Sequence, residues 1–577
     1  GKTIAAGGAG TITWIDAKTR SIIGANVGLN GIASFVFSPD NNKVAVACAD
    51  HNVRIIDLVT GAISQVLMGH ENDVMSVQFT PDGKFVISGS LDSQIKIWEL
   101  ATGKCLLSFI TLSASNDFII YNPDGYYLSS KGAGKVLAFR VDNEVYPFPQ
   151  FDLKYNRPDI IIEALQKIFS STEDLQPLKE SYKKAYQKRL QKMNFSEEDI
   201  NTGELHLPTL IIDKTTNNGN SIDVTIKAND TKYLLNRLQV YVDDVPLYGT
   251  KGINVKAQAK KQLSQNINIP LVDGSNNIQL SCINEKGVES FRSSIKVVGK
   301  QEGKPNLYVI AISVSNYKDT SMNLGYAVKD GKDMLHYFSS LKEQYNVVYA
   351  DSLFDEKTTV ENITSLKNKL LKTNANDAVV VFVSGHGLLD KENNFYYATH
   401  DVDFANPALR GLPYDALEDI VDGIPARKKL LLIDACHSGE VDAEAIDTST
   451  TTTAISEGNI KTTGFRGVTI KTKKKAGLKN SFEMMQELFS NLSQGSGALV
   501  ISAAAGVGFA LESAEWNNGL FTYAVLKTLR DKDGDANKNK HISVNELKTI
   551  VTKEVERLSK GRQKPTTRRE LLEWDWD

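Results

Sequence analysis

The sequence of 577 residues is poor in the features that mark disulfide-rich scaffolds, membrane proteins and nucleic-acid binders. It has four cysteines, at Cys48, Cys105, Cys282 and Cys436, and none of them forms a CxxC pair. This argues against a disulfide framework and a zinc site, and favours a reducing, cytoplasmic compartment. No apolar run reaches the roughly 18 residues of a membrane span, and no signal peptide is recognisable. The net charge of −3 predicts no direct nucleic-acid partner and no membrane partner.

The chain is long enough for roughly three to five domains, and its first 145 residues repeat with a period of 42. Three prolines mark this period: Pro39, Pro81 and Pro123. Short runs rich in Val, Ile and Phe, separated by Pro-Asp or Gly turns, predict a small antiparallel sheet in each repeat. Within one repeat, Gly69-His70, Asp92 and Trp98 resemble the signature of the WD-repeat β-propeller family. The resemblance implies a buried structural network for these polar residues, and no catalytic role for His70.

Residues 1–145 are therefore predicted to be an all-β, partial WD-repeat propeller. We count three full blades and the last part of a fourth, whereas propellers typically close with 4–8 blades. Further blades are accordingly expected before Gly1. A propeller supplies no chemistry of its own here, and we expect it to bind a regulatory protein partner.

Two further regions precede the C-terminal part of the chain. Residues 146–205 carry apolar residues three and four apart among many lysines, which predicts a helical connector. Its basic run from Lys183 to Lys192 is either a nucleic-acid contact or a solvated helix face, and the second interpretation is favoured. Residues 206–300 alternate in polarity between Asn and Gly turns, which predicts an immunoglobulin-like β-sandwich. Cys282 is expected to be a buried apolar filler.

Residues 305–577 change to an α/β pattern. Continuous apolar runs predict buried parallel strands at 307–314, 378–384, 429–435 and 497–503. Helical stretches alternate with them near 326–341, 360–372, 415–422, 481–493 and 519–530. The pattern predicts a mainly parallel sheet flanked by helices on both faces. In such sheets, ligands bind beyond the carboxyl ends of the strands.

Two polar clusters lie at those predicted strand ends. "VFVSGHG" places His386 just after one strand, and "LLIDACHSG" places Cys436 just after another. If the strands are parallel neighbours, thiol and imidazole emerge at one edge, where the imidazole can activate a thiolate nucleophile. The backbone N–H groups of Gly387 and Cys436 are candidates for an oxyanion hole.

These motifs resemble the caspase family of cysteine peptidases, and most closely its metacaspase and bacterial orthocaspase branch. In that branch a His-Gly pair follows one strand and Asp-x-Cys-x-Ser-Gly follows the next. The resemblance covers residues 305–577 and implies that His386 is the general acid/base and Cys436 the nucleophile. The alternatives are a buried structural cysteine and an inactive enzyme.

Charge predicts the substrate class. Asp330 in "GYAVKDGKD", Ser384 and Asp434 match the acidic and polar positions that line the metacaspase specificity pocket. Carboxylates bind Arg or Lys side chains, whereas an aspartate side chain would require arginines. The first predicted strand ends in "AISVSNYKD", without arginine, which disfavours aspartate. For Asp330, a surface helix charge is the alternative interpretation.

The segment 440–480 is rich in Thr and Lys and poor in large apolar residues, which predicts a mobile loop. In caspase-like enzymes this is where self-cleavage can separate a large and a small part. The cleavable basic residues are Arg466, Lys471, Lys473, Lys474 and Lys475. An ordinary solvated basic patch is the alternative.

The stretch "DANKNKHISVNE" resembles an EF-hand loop, with candidate calcium ligands at Asp535, Asn537, Asn539 and Glu546. Lys540 occupies the position that normally requires glycine, and its charge opposes calcium. We therefore favour a calcium-free helical connection and predict that no cofactor is required.

Together these features predict a regulated, cytoplasmic cysteine endopeptidase that cleaves proteins after Arg or Lys, with propeller and sandwich as regulatory or recruitment modules. Family analogy alone suggests bacterial stress, immunity or programmed-death roles. A catalytically silent scaffold or peptide-binding module in a signalling complex is the alternative. A third possibility is a hydrolase that stays silent until a partner binds the propeller.

Overall fold

The computed structural model describes residues 3–8, 10–112, 117–141, 143–169, 175–201, 205–390, 394–437, 462–465, 496–503, 511–531, 534–568 and 575–576. The chain forms two compact units, Gly1–Leu190 and Gln191–Asp577. Among the described residues, no helix is long and apolar enough to cross a membrane.

The first unit begins with antiparallel sheets built from the repeats. A three-stranded sheet contains Thr3–Gly8, Thr11–Asp16 and Ile22–Val27. A four-stranded sheet contains Ile32–Phe37, Lys43–Cys48, Asn52–Asp57 and Ile63–Met68. A six-stranded sheet contains Val74–Phe79, Phe85–Ser90, Gln94–Glu99, Cys105–Thr111, Phe118–Tyr121 and Tyr127–Ser129. Alternating burial along these strands places Val, Ile and Phe between the sheets, as the period-2 pattern predicts.

The third predicted blade does not form a sheet of its own. The predicted count of three full blades is therefore wrong. The first two strands of this blade, Phe118–Tyr121 and Tyr127–Ser129, extend the sheet of the preceding blade by pairing with Cys105–Thr111. A 3-10 helix at Lys131–Lys135 follows, and the strand at the third-strand position, Ala138–Val141, pairs with Glu144–Pro147 instead. The stretch "SSKGAGKV" supplies small residues for this 3-10 helix, and the Asp117 carboxylate accepts the backbone N–H of Gly132 at 3.1 Å.

The polar signature of the middle repeat forms the expected buried network. His70 Nδ1 lies 2.8 Å from the Asp92 carboxylate, and His70 Nε2 lies 2.8 Å from Ser88 Oγ. Trp98 donates its indole N–H to the same hydroxyl at 2.8 Å. Burial lowers the pKa of His70, so the ring is held neutral between two partners. His70 is therefore a structural residue.

Helices complete the first unit and continue into the second. They span Asp152–Tyr155, Pro158–Ile168, Gln176–Lys192 and Glu197–Asn201, preceded by the strand pair Ala138–Val141 and Glu144–Pro147 and a 3-10 helix at Phe148–Phe151. Ile161 and Ile168 of the second helix pack against Phe85, Ile97 and Leu107 of the strands. The start of the predicted connector thus shares a core with the repeats.

Residues 209–299 form two sheets around one apolar cluster. One sheet contains Thr209–Asn217, Ser221–Asn229 and Gln262–Pro270. The other contains Leu235–Val242, Val245–Pro246, Ile253–Asn254, Gly274–Asn284 and Ser293–Gly299. Cys282 is fully buried in this cluster, where burial raises the pKa of its thiol to about 12. That thiol stays protonated at neutral pH and is unsuited to nucleophilic attack.

The C-terminal part is built on one mixed sheet. Its strand order is Val348–Phe354, Leu307–Ser313, Ala378–Leu389, Lys428–His437, Leu499–Ser502 and Thr566–Arg568. The first five strands are parallel, and Thr566–Arg568 is antiparallel to its neighbour. The short strand Phe395–Tyr397 pairs antiparallel with the end of Ala378–Leu389, and Leu412–Pro413 pairs antiparallel with Phe395–Tyr397. A separate small sheet contains Thr462–Phe465, Leu511–Ser513 and Asn518–Gly519.

Helices cover both faces of the mixed sheet, as predicted. On one face lie Val360–Leu370 and Tyr414–Asp419. On the other face lie Ala327–Ser339, Leu520–Arg530 and Val544–Leu558. The predicted helix at 481–493 lies outside the described residues. Apolar runs of β-branched residues and Leu form the central strands because both of their sides are buried.

Two strands run further than the sequence predicts. The strand predicted at 378–384 continues to Leu389, and the strand predicted at 429–435 continues to His437. His386 and Cys436 therefore lie inside strands, and the prediction that they follow the strand ends is wrong by a few residues. Past His386 the strand stays extended because it pairs antiparallel with Phe395–Tyr397.

The β-sandwich contacts the base of this sheet directly. Asp422 accepts the backbone N–H and the hydroxyl of Thr250, at 3.2 and 3.1 Å. Buried Arg427 donates to Asn276 Oδ1 at 3.1 Å and to the carbonyl oxygen of Pro270. Arg427 directly precedes the strand that carries Cys436, so the sandwich anchors the start of that strand.

Candidate active site

His386 and Cys436 lie side by side at the carboxyl edge of the sheet. They occupy neighbouring parallel strands and are in register as Cα partners, as are Gly385 with Ala435 and Ser384 with Asp434. The sequence predicted this neighbourhood from the chain order of the two motifs. For Cys436 the described part is the backbone alone. Its backbone places it one inter-strand spacing, roughly 4.8 Å, from His386.

One ring nitrogen of His386 is committed to a backbone carbonyl. His386 is 4 % exposed, and its Nε2 lies 2.8 Å from the carbonyl oxygen of Met322. A carbonyl oxygen accepts only, so Nε2 carries a proton. In the neutral ring Nδ1 is then the basic nitrogen. Met322 ends a 3-10 turn whose first residues are capped by Asp319. This contact could not be predicted from the sequence, because it depends on how a distant turn packs.

Aromatic side chains enclose the imidazole. The ring centroid of Tyr317 lies 5.2 Å from that of His386, and the ring of Phe404 lies 5.9 Å from it, edge to face. Tyr317 and Phe404 also contact each other at 5.3 Å. The imidazole therefore lies against two aromatic rings, and the Met322 carbonyl is a polar partner of its Nε2. Such packing restricts the ring to one orientation.

A polar row crosses three neighbouring strands next to His386. Ser313, Ser384 and Asp434 are register partners, and all three are fully buried. Two residues earlier on each strand the same face is apolar, with Ala311, Phe382 and Leu432 in the core. The side chains on this face thus change from apolar to polar at one level of the sheet, where buried polar groups require polar partners.

Two predicted pocket residues meet at the start of the helix Leu520–Arg530. Asp330, fully buried in the first turn of Ala327–Ser339, accepts from the side-chain amide of Asn518 at 2.7 Å and from the N–H of Gly519 at 3.1 Å. Asp434 accepts from the hydroxyl and the N–H of Thr522, at 2.5 and 3.3 Å. The helix N-terminus favours negative charge at both carboxylates. Asp330 is thus not a surface helix charge.

Glu512 is a third acidic residue of this region, and the sequence analysis missed it. It is 3 % exposed and accepts the backbone N–H of Gly325 at 3.0 Å. It is also the register partner of Gly519, which donates to Asp330. In the sequence, Glu512 directly follows the apolar stretch "FAL", which is a weak signal for a buried carboxylate.

The strand that carries Glu512 has a chain segment along its other edge. Thr462–Phe465 pairs antiparallel with Leu511–Ser513, with Gly464 opposite Glu512. Leu511–Ser513 therefore accepts an extended chain at that edge. The candidate self-cleavage residues Arg466, Lys471, Lys473, Lys474 and Lys475 lie outside the described residues.

The candidate oxyanion residue Gly387 follows His386 in the same strand, opposite Tyr397. The calcium candidates lie elsewhere, in the loop before the helix Val544–Leu558. There Asp535 accepts the N–H groups of Asn539 and Lys540, and Glu546 accepts those of Asn537 and Ser543. Within the described ranges, no group of three or more His, Cys, Asp or Glu residues is placed to hold a metal ion.

Comparisons with protein families agree with this architecture. Residues 307–573 match the family described as the caspase domain, which covers the sheet and both strands of the site. Residues 18–57 and 61–99 match the family described as the WD domain, G-beta repeat. The first match covers Ile22–Val27 and the first three strands of the four-stranded sheet. The second covers Ile63–Met68 and the first three strands of the six-stranded sheet. No curated protein matches the chain.

Proposed function

We propose that this chain, which carries a caspase domain together with WD repeats, is a cysteine endopeptidase that cuts proteins after Arg or Lys. The observation that carries the proposal is the register of His386 with Cys436 on neighbouring parallel strands. Residues in register on neighbouring strands lie about one strand spacing apart, roughly 4.8 Å. We therefore expect the thiol beside the imidazole.

The hydrogen bond to Met322 supports different roles for the two ring nitrogens of His386. With Nε2–H held by the carbonyl, Nδ1 is the nitrogen that takes the thiol proton. The resulting thiolate attacks the carbonyl carbon of the cleaved bond, and the imidazolium returns the proton to the leaving amine. A water molecule then hydrolyses the thioester and regenerates the thiol. The N–H groups of Cys436 and Gly387 are proposed to stabilise the oxyanion.

Buried carboxylates support specificity for a basic side chain. Asn518, Gly519 and Thr522 hold Asp330 and Asp434 through neutral amide, backbone and hydroxyl donors. We propose that a guanidinium or ammonium group binds between these two residues, with Ser384 and Glu512 at its sides. Arg, with its planar fork of donors, is expected to bind better than Lys.

The edge of Leu511–Ser513 is proposed as the place where the substrate backbone binds. Its pairing with Thr462–Phe465 supports binding by strand addition, in which main-chain hydrogen bonds give affinity and a pocket gives specificity. Self-cleavage after Arg466 or one of the lysines from Lys471 to Lys475 remains a hypothesis. A mass spectrum with only intact chain, together with full activity, would contradict it.

The test compares fluorogenic peptides that end in Arg, Lys or Asp before the reporter group. We expect turnover of the Arg and Lys peptides, none of the Asp peptide, and complete loss in Cys436→Ala. Cys105→Ala is the matched control, since Cys105 lies in a strand of the repeats and burial raises the pKa of its thiol. Binding of Arg peptides without turnover would favour the alternative, a catalytically silent scaffold that recognises peptides.

The WD repeats are proposed to bind a regulatory protein partner. Propeller sheets present loops and edges without reactive groups of their own, and the His70 network in the middle repeat is buried and structural. If the isolated chain is inactive and a partner of the repeats restores turnover, the third hypothesis, a hydrolase silent until activated, is supported.

A further inference from the structure

The backbone around Gly385 is unusual for a strand. Gly385 has φ of +155°, a conformation that residues with a side chain rarely adopt. A Cβ atom at this position would lie 2.9 Å from the hydroxyl oxygen of Tyr317 and 3.2 Å from that of Tyr397. Both the backbone conformation and the lack of room for a Cβ atom therefore require glycine here. Two tyrosine hydroxyl groups lie next to it.

Each hydroxyl binds a peptide group next to Gly385. Tyr317 Oη accepts the backbone N–H of His386 at 2.9 Å, and Tyr397 Oη donates to the carbonyl oxygen of Ser384 at 2.9 Å. Both tyrosines are at most 2 % exposed. The two bonds fix the chain on either side of Gly385, between a proposed pocket residue and the proposed base.

Tyr317 belongs to the same turn as Met322. The backbone N–H of Tyr317 donates to Asn323 Oδ1 at 2.8 Å, which closes the turn 317–323. Through this turn His386 is held at two atoms, its backbone N–H by the Tyr317 hydroxyl and its Nε2 by the Met322 carbonyl. The Tyr317 ring also contacts the imidazole at 5.2 Å.

We propose that Tyr317 and Tyr397 are positioning residues of the active site, with separate effects on catalysis and on substrate binding. Tyr317 sets the position and orientation of His386, so it acts on the proton-transfer steps. Tyr397 sets the backbone of Ser384, so it acts on the pocket. The inference rests on the proposed peptidase function and deepens it.

Tyr317→Phe and Tyr397→Phe keep each ring and remove only the hydroxyl. We expect Tyr317→Phe to lower kcat by about tenfold to a hundredfold, the cost of a slightly misplaced catalytic group, with unchanged KM and a shifted acid limb of the pH profile. We expect Tyr397→Phe to raise KM for Arg peptides with little change in kcat. Tyr337→Phe is the matched control, because Tyr337 Oη also donates to a backbone carbonyl, that of Leu529 at 3.0 Å.

A second measurement separates this inference from the proposed function. The pH dependence of Cys436 alkylation by iodoacetamide, followed by mass spectrometry of its peptide, reports the thiol–imidazole pair without turnover. Tyr317→Phe is expected to shift this dependence, and Tyr397→Phe and Tyr337→Phe are not. If the wild-type chain cleaves no peptide but the shift is seen, the proposed function fails and the positioning role of Tyr317 stands.

Two results would overturn the inference. One is a folded Tyr317→Phe chain, as judged by circular dichroism, with wild-type kcat, pH profile and alkylation behaviour. The other is equal effects of all three Tyr→Phe changes, which would indicate a general loss of stability. If Tyr317→Phe does not fold, the kinetics of Tyr397→Phe test the inference. An unchanged KM for Arg peptides would overturn the separation of roles, whereas a raised KM with wild-type kcat would support it.

Discussion

Thr522 donates both its hydroxyl group and its backbone N–H to the carboxylate of Asp434, at 2.5 and 3.3 Å. The residue thereby ties the first turn of the helix Leu520–Arg530 to the strand that carries Cys436. Both donors are neutral, so they solvate the carboxylate without cancelling its charge. A buried carboxylate held in this way can attract a basic side chain more strongly than one in water.

Replacing Asp434 by Asn is expected to remove most of the preference for basic substrates. Truncating one partner of a buried, hydrogen-bonded charge pair costs about 2–5 kcal/mol, so kcat/KM for Arg peptides should fall at least about thirtyfold. Asp330→Asn should act in the same direction. The measurement is steady-state kinetics on Arg peptides, with Glu361→Gln, an exposed helix residue, as the control. Unchanged kcat/KM in both Asn variants would show that the pocket lies elsewhere.

Glu512→Gln is expected to weaken Arg and Lys recognition less than Asp434→Asn does. The amide oxygen of Gln can still accept the N–H of Gly325, so the fold near the pocket should persist while one negative charge is lost. A partly shielded charge interaction is worth about 1 kcal/mol, which corresponds to a fall in kcat/KM of roughly fivefold. Equal kinetics in wild type and Glu512→Gln would remove Glu512 from the pocket.

The positions of His386 and Cys436 could be predicted because they depend on a rule of topology. Carboxyl ends of parallel strands share an edge, and two polar motifs after two apolar runs must then lie close together. Glu512 and the Met322 carbonyl could not be predicted, because a separate small sheet and a distant turn bring them to the site. Such contacts depend on tertiary packing and leave little trace in local sequence patterns.

The errors have equally local causes. The apolar run before "SGHG" predicted a strand that ends at residue 384, yet the strand continues to Leu389 because it pairs antiparallel with Phe395–Tyr397. The third repeat keeps the Pro-Asp turn that sets the 42-residue period, but its third strand, Ala138–Val141, pairs with Glu144–Pro147 instead of with Tyr127–Ser129. The periodic turns therefore predicted the positions of the repeats better than they predicted how the strands pair into sheets.

The WD repeats are expected to lose stability in mild acid through His70. Burial lowers the pKa of His70 below its usual value of about 6.5, so the unfolded chain takes up a proton that the folded chain does not. This stability is fully present above about pH 6.5 and is lost as the pH falls from there towards the folded pKa. Thermal unfolding of His70→Gln should show a smaller decrease between pH 7.5 and 5.5 than the wild type. An identical pH dependence would contradict this assignment.

Calcium is expected to leave the melting temperature unchanged. Asp535 and Glu546 already accept four backbone N–H groups of their own loop, and Lys538 and Lys540 add positive charge there. Asp535→Asn should lower the melting temperature because two N–H groups lose a charged acceptor. The measurement is differential scanning calorimetry with calcium or with chelator. A calcium-dependent rise that disappears in Asp535→Asn would establish a metal site.

Releasing the segment Thr462–Phe465 is expected to increase peptide cleavage. Gly464 lies opposite Glu512 in the antiparallel pair, and proline at this position removes an N–H and restricts φ, which disfavours pairing. If the segment occupies the edge of Leu511–Ser513 about nine-tenths of the time, Gly464→Pro should raise kcat/KM about tenfold through a lower KM. Gly458→Pro, four residues before Thr462 in the sequence, is the control. Lower activity in Gly464→Pro would instead mean that this strand helps to build the site, and substrates would then have to bind along another edge.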